Sequence, residues 1–120
     1  MPEDLLSSLQ QQLRDFTRER DWDQFHTPKN LAMALTGEAA ELQEIFQWLT
    51  PEQSAQLDAK QRAQAEEEVA DVLLYLCRLA DVLQIDLAAA AHAKLKRNAE
   101  KYPAALVRGS AAKYHEYRKG

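Results

Sequence analysis

A chain of 120 residues with a formal net charge of −4, 46% apolar and 28% charged residues has the composition of one ordinary globular domain. Three Gly, four Pro and one Cys, with abundant Ala, Leu, Gln and Glu, favour helices and exclude an intramolecular disulfide framework. No long apolar stretch suggests a membrane span or leader, and the lone Cys77 suits a cytoplasmic chain with a small core thiol. The acidic and basic residues are segregated. Residues 1–91 hold 17 of the 19 acids, and residues 92–120 hold eight of the 15 basic residues. That asymmetry fits two solvated faces, a nucleic-acid arm, or separate metal and phosphate sites.

In chain order, Leu5, Leu9, Leu13 and Phe16 predict a helix over roughly 4–20 with one buried stripe. A polar and aromatic link, Asp21 to His26, leads to Thr27-Pro28, an N-cap followed by proline at the first helical position. The second helix is expected to run to about 49, with Leu31, Leu35, Leu42 and Phe46 inward. Thr50-Pro51-Glu52-Gln53 has the capping-box pattern, and the polar stretch 52–64 predicts a connection, partly helical. A third long helix, about 60–83, is expected to pack through Val69, Val72, Leu73, Leu76, Leu79, Ala80 and Leu83. Asp86 caps a fourth over about 87–100, with Leu87, Ala91 and Leu95 inward, and Tyr102-Pro103 closes it. The basic tail, about 104–120, has no clear pattern. The expected fold is all-α, a bundle of about four main helices in a single domain. Its broad Ala-rich apolar faces predict a homo-oligomer.

Two acidic pairs carry the chemistry: Glu38 with Glu41, and Glu68 with Asp71. Residues three apart share a helix face, with Cβ atoms about 5–6 Å apart, so each pair can aim two carboxylates at one point. Both pairs flank the apolar rows of their helices, where unpaired carboxylates would repel and lose hydration. A hard divalent cation would remove that conflict. Acids three apart are also common decoration, so both readings stand on spacing alone. A di-iron bundle needs Glu-x-x-His pairs, and none of His26, His92 or His115 follows a Glu by three. Oxygen-only ligands favour Mg²⁺, with Mn²⁺ as a substitute, over iron or zinc. Trp48 and Tyr75 continue the two acidic stripes, and Trp22, Phe25 and His26 precede the second helix, so a flat base could stack among them. Lys94, Asn98 and Lys101 form a polar stripe on the fourth helix, suited to phosphates or to solvent.

The run Arg20 to Leu31, the segment Gly37-Glu38-Ala39-Ala40-Glu41-Leu42, the triplet Phe46-Gln47-Trp48 and the stretch Glu67 to Leu76 resemble the MazG-like all-α nucleotide pyrophosphatases, especially the dCTP pyrophosphatase branch. The likeness continues through Lys94, Asn98, Lys101-Tyr102-Pro103 and the tail Ser110 to Tyr114. It implies a tetramer, or at least a dimer, that cleaves a nucleoside triphosphate to monophosphate and pyrophosphate. By the same resemblance, Glu38, Glu41, Glu68 and Asp71 would hold Mg²⁺. Trp22, His26, Trp48 and Tyr75 would line the base and sugar pocket, and Lys94, Asn98, Lys101 and Tyr102 would contact nucleotide or phosphate. One position departs: Leu13 stands where that branch often carries a histidine. Two other classes remain open, a helical interaction module and a nucleic-acid binder using the basic tail, the latter disfavoured.

Overall fold

In the first helix only half of the side chains that apolar spacing selects, Leu9 and Leu13, turn inward. The computed structural model describes residues 2–110, with side chains from residue 5 onward, and α1 spans Pro2–Glu19. Leu6, Leu9, Gln10, Leu13 and Thr17 form its inward row, and Thr17 is only 2% exposed. Leu5 and Phe16, expected inside, are exposed. Polar anchors explain the rotation. Gln10 donates to the Cys77 carbonyl at 3.3 Å, Arg14 pairs with Asp81, and the Thr17 hydroxyl donates to Asp23 Oδ1 at 2.8 Å.

Asp21, with φ of 55°, ends α1 in the left-handed region, and the Trp22 N–H reaches back to the Thr17 carbonyl at 2.9 Å. This tight reversal satisfies helix-end carbonyls and sets Trp22 at the start of a 3-10 turn, Asp23–Phe25. The Thr27 side chain accepts the Asn30 N–H at 3.1 Å, and Pro28 opens α2, Pro28–Phe46. The helix stops three residues before the expected 49, because Gln47 to Leu49 form a turn leading into the next cap. Thr50 and Gln53 cap each other's backbone N–H groups around α3, Pro51–Ser54. Asp58 and Gln61 repeat the device at the start of α4, Ala59–Val82, so much of the expected connection is helical. Gln84, with φ of 57°, ends α4 as Asp21 ends α1, with the Ile85 N–H donating to the Ala80 carbonyl.

Both α1 and α2 pack against α4. Leu31 and Cys77 are fully buried in that core, and Ala80 joins them. Burial pushes the Cys77 thiol pKa up, in keeping with a packing role. Val69, Leu73, Leu76 and Leu83, expected in the core, are exposed in the single chain, as is Leu95 on the following helix. The first three lie at four- and three-residue steps and make one apolar stripe on α4.

The chain divides into two compact units, Met1–Ile85 and Asp86–Gly120. In the second, the Asp86 side chain accepts the Ala89 N–H at 3.0 Å and opens α5, Leu87–Lys101. Tyr102 terminates it and Pro103 precedes α6, Ala104–Val107, in the basic segment that shows no clear sequence pattern. The tail motif from Ala111 onward lies outside the described residues. No described helix is long and apolar enough to cross a membrane.

Candidate active site

The packing of α2 against α4 brings three of the four predicted carboxylates together. One oxygen from each of Glu38, Glu41 and Glu68 lies within 4.8 Å of the others. Glu38 and Glu68 are half-buried and Glu41 is exposed. The Oε2 atoms of Glu38 and Glu68 are buried with no hydrogen-bond partner, an unfavourable state for ionised oxygens. A hydrogen bond with Glu68, burial, and the neighbouring Glu41 and Asp71 carboxylates push Glu38 up to about 7. Glu68 is also raised. The hydrogen bond from Glu38 lowers it, but burial and the neighbouring charges of Glu41 and Asp71 outweigh that effect. Orphaned oxygens, mutual repulsion and an oxygen-only donor set are what a hard divalent cation would satisfy, so the residues fit such an ion.

Asp71, the fourth predicted carboxylate, sits one turn beyond Glu68 on α4 and acts electrostatically on both Glu38 and Glu68. It also lines a cavity of about 260 Å³ with Leu13, Phe16, Trp22, His26 and Tyr75. That volume is near the lower end of the ~300–1,000 Å³ usual for small-molecule pockets. Phe16 and Trp22 meet edge to face with centroids 5.7 Å apart, and the Arg20 guanidinium covers Phe16 at 3.7 Å. The cavity is thus an aromatic slot with a carboxylate at its wall, and Asp71 links it to the acidic cluster.

Of the predicted pocket residues, Trp22, His26 and Tyr75 line this cavity and Trp48 does not. Trp48 falls in the turn after α2 and is 85% exposed, because α2 ends before reaching it. Lys94, Asn98, Lys101 and Tyr102 belong to α5 and its cap in the second unit. There the Asn98 carbonyl accepts the Tyr102 N–H at 2.8 Å, and the Lys101 ammonium lies 5.7 Å from the Tyr102 ring centre.

Sequence reasoning missed a polar group on the cavity wall. Arg78, which is buried, donates from Nε to His26 Nδ1 at 3.1 Å and from Nη2 to Asp23 Oδ1 at 2.8 Å. Asp81 accepts two bonds from Arg14, at 2.7 and 2.5 Å, and lies 3.7 Å from Arg78. The Arg14 hydrogen bond and charge hold the Asp81 carboxyl below its usual range, against the effect of burial. Burial and the Arg78 charge lower the His26 pKa, against the opposing effect of Asp23. A signal was available: Arg78 lies three residues after Tyr75 and seven after Asp71, on the stripe already assigned to chemistry.

The comparisons agree with this architecture. The chain is 42% identical to dCTP pyrophosphatase 1 of Rattus norvegicus, over 99% of this chain and 71% of the relative. It is 43% identical to dCTP pyrophosphatase 1 of Homo sapiens, over 96% and 69%. A crystal structure of a pyrophosphatase from Archaeoglobus fulgidus superposes with a TM-score of 0.74 at 42% identity, covering 84% of this chain and 91% of its own. The MazG-like family model matches residues 34–116, from before the first acidic pair to beyond α6. With the carboxylates of α2 and α4 gathered on an all-helical frame, the chain belongs to the MazG-like family.

Proposed function

We propose that this chain is a Mg²⁺-dependent nucleoside triphosphate pyrophosphohydrolase, converting dCTP or a modified dCTP to the monophosphate and pyrophosphate. The observation that carries the proposal is the acidic cluster, with its two orphaned buried oxygens, joined through Asp71 to an aromatic cavity. The pyrophosphatase names of its relatives support the reaction class.

Glu38, Glu41, Glu68 and Asp71 would hold the ion, with Mn²⁺ as a substitute. When bound, the ion offsets charge on the phosphate oxygens and acidifies a water molecule. The oxygen of a water molecule attacks the α-phosphorus and its proton passes to Glu38 or Glu41. The bond from the α-phosphorus to the bridging oxygen breaks, and pyrophosphate leaves with the electron pair. Trp22 and Tyr75 give the base flat walls. Lys94, Asn98, Lys101 and Tyr102 contact nucleotide or phosphate, a role supported by the family motif and by the three- and four-residue steps along α5. Trp48 joins the base pocket in the oligomer, a role its exposure permits. Residues 1–120 act as one domain in a homo-oligomer, dimer or tetramer, in the cytoplasm; the family match runs across both units.

The test is a pyrophosphate-release screen over nucleoside triphosphates with and without Mg²⁺, on wild type, Glu38→Gln and Asp71→Asn. Turnover should require the ion and fall by at least about a hundredfold in each variant. Variants that turn over like wild type would remove the metal site from the mechanism.

A further inference from the structure

Among the described residues Arg78 is the only charged side chain that is buried, and its hydrogen-bonding capacity is directed at named acceptors. Nη2 is committed to Asp23 Oδ1, which the Thr17 hydroxyl also approaches at 2.8 Å, and Nη1 faces Asp81 at 3.7 Å. Asp81 is in turn fixed by the paired bonds from Arg14. The guanidinium is therefore held between Asp23 of the 3-10 turn and Asp81 of α4, each anchored in turn by a residue of α1, with Nε aimed at His26 Nδ1. A histidine tautomer is ordinarily ambiguous, because either ring nitrogen can carry the proton. Here it is not. An arginine has no acceptor and does not deprotonate, so Nδ1 must be the accepting atom and the proton of a neutral ring must sit on Nε2. His26 lines the cavity, and its remaining ring nitrogen, Nε2, is thus an N–H donor.

We propose that Arg78 is a positioning residue for base selection: by fixing His26 as the Nε2–H tautomer, it makes that wall of the cavity a hydrogen-bond donor, selecting a base edge that offers a carbonyl oxygen or ring nitrogen over one that offers an amine. The inference rests on the reading of the cavity as the base pocket. Arg78 acts through His26, because its own Nε and Nη2 are already engaged inside the protein. Lysine would keep the charge but lose the planar fork that holds both partners.

The test begins without nucleotide or metal. In protein labelled with ¹⁵N-histidine, with His26→Gln used for assignment, long-range ¹⁵N–¹H correlation near pH 7.5 should give a pyridine-type Nδ1 and a pyrrole-type Nε2 for His26. Arg78→Lys should mix the tautomers. Asp23→Ala, which loosens the clamp while retaining Arg78, should mix them partly and replaces the first variant if that one does not fold. Steady-state kinetics with the preferred triphosphate should show KM raised roughly three- to tenfold and kcat little changed, the size of one hydrogen bond used for binding. Discrimination among the four deoxynucleotides should narrow in the same variants. A folded Arg78→Lys protein that keeps the Nε2–H tautomer overturns the inference, as does a mixed tautomer with KM unmoved. If wild type hydrolyses no nucleoside triphosphate, the functional reading fails and base selection falls with it, while the ring signal separately decides whether Arg78 sets the tautomer.

Discussion

Glu38 and Glu68 each keep an oxygen away from both water and donors, which makes the metal-free chain sensitive to pH in an unusual direction. Their folded pKa values are raised, Glu38 from the ordinary 4.5 to about 7, so the folded chain binds protons that the unfolded chain has released. Stability in chelator should therefore fall as pH rises from about 4.5 to about 7 and level off above it. Asp81 has the opposite sign. Its depressed pKa contributes stability above its ordinary 3.8 that is lost as pH drops further. Urea titrations of the metal-free protein across pH 3–8 should thus peak in mild acid, and saturating Mg²⁺ should remove the loss towards neutrality. Glu38→Gln should raise metal-free stability at pH 7.5 by roughly 1 kcal/mol while abolishing turnover, the usual exchange of stability for function. The acidic pairs were legible from three-residue spacing because helical geometry alone brings such residues to one face. Arg78 was not, since its hydrogen-bond partners Asp23 and His26 come from the turn after α1, and nothing in the sequence around Arg78 identifies them.

The helix starts are encoded within four residues of chain, which is why Thr27, Thr50 and Asp86 could be read as caps. Asp58 uses the same chemistry but was obscured by a polar segment without apolar period. Because α4 carries Glu68, Asp71, Tyr75 and Arg78, its first turn anchors the site. Asp58→Ala should cost about 1 kcal/mol in thermal or urea unfolding. The opposite end offers a gain. Gln84 holds a left-handed conformation that a side chain disfavours, so Gln84→Gly should be neutral or stabilising by up to about 1 kcal/mol. The early end of α2 was harder to foresee. Gln47, Trp48 and Leu49 suit a helix, and the turn is imposed by the Thr50 box that follows.

Across the whole molecule, apolar periodicity identified helices correctly and their destinations less well. Val69, Leu73 and Leu76 have the spacing of a core stripe, yet they lie exposed in a single chain. Spacing reports that a face is apolar; it does not report whether the same chain covers it. An uncovered stripe of that kind fits association between copies. Sedimentation should accordingly give a mass that is a multiple of 13.7 kDa, and Leu73→Asp should shift it towards the monomer. The α1 rotation has a related cause, since polar anchors to α4 and to the 3-10 turn outweighed the burial of Leu5 and Phe16.

The chain of charges from Arg14 through Asp81 and Arg78 to Asp23 alternates in sign, and this constrains how the family can diverge. Losing Arg78 first would leave Asp81 and Asp23 without a shared cation, whereas losing Arg14 and Asp81 together removes a matched pair. A double-mutant cycle on positions 14 and 81 should show a positive coupling, with the double variant better folded than the sum of its parts predicts. Aligned relatives should therefore exchange residues 14 and 81 as a pair, while position 78 changes together with position 23.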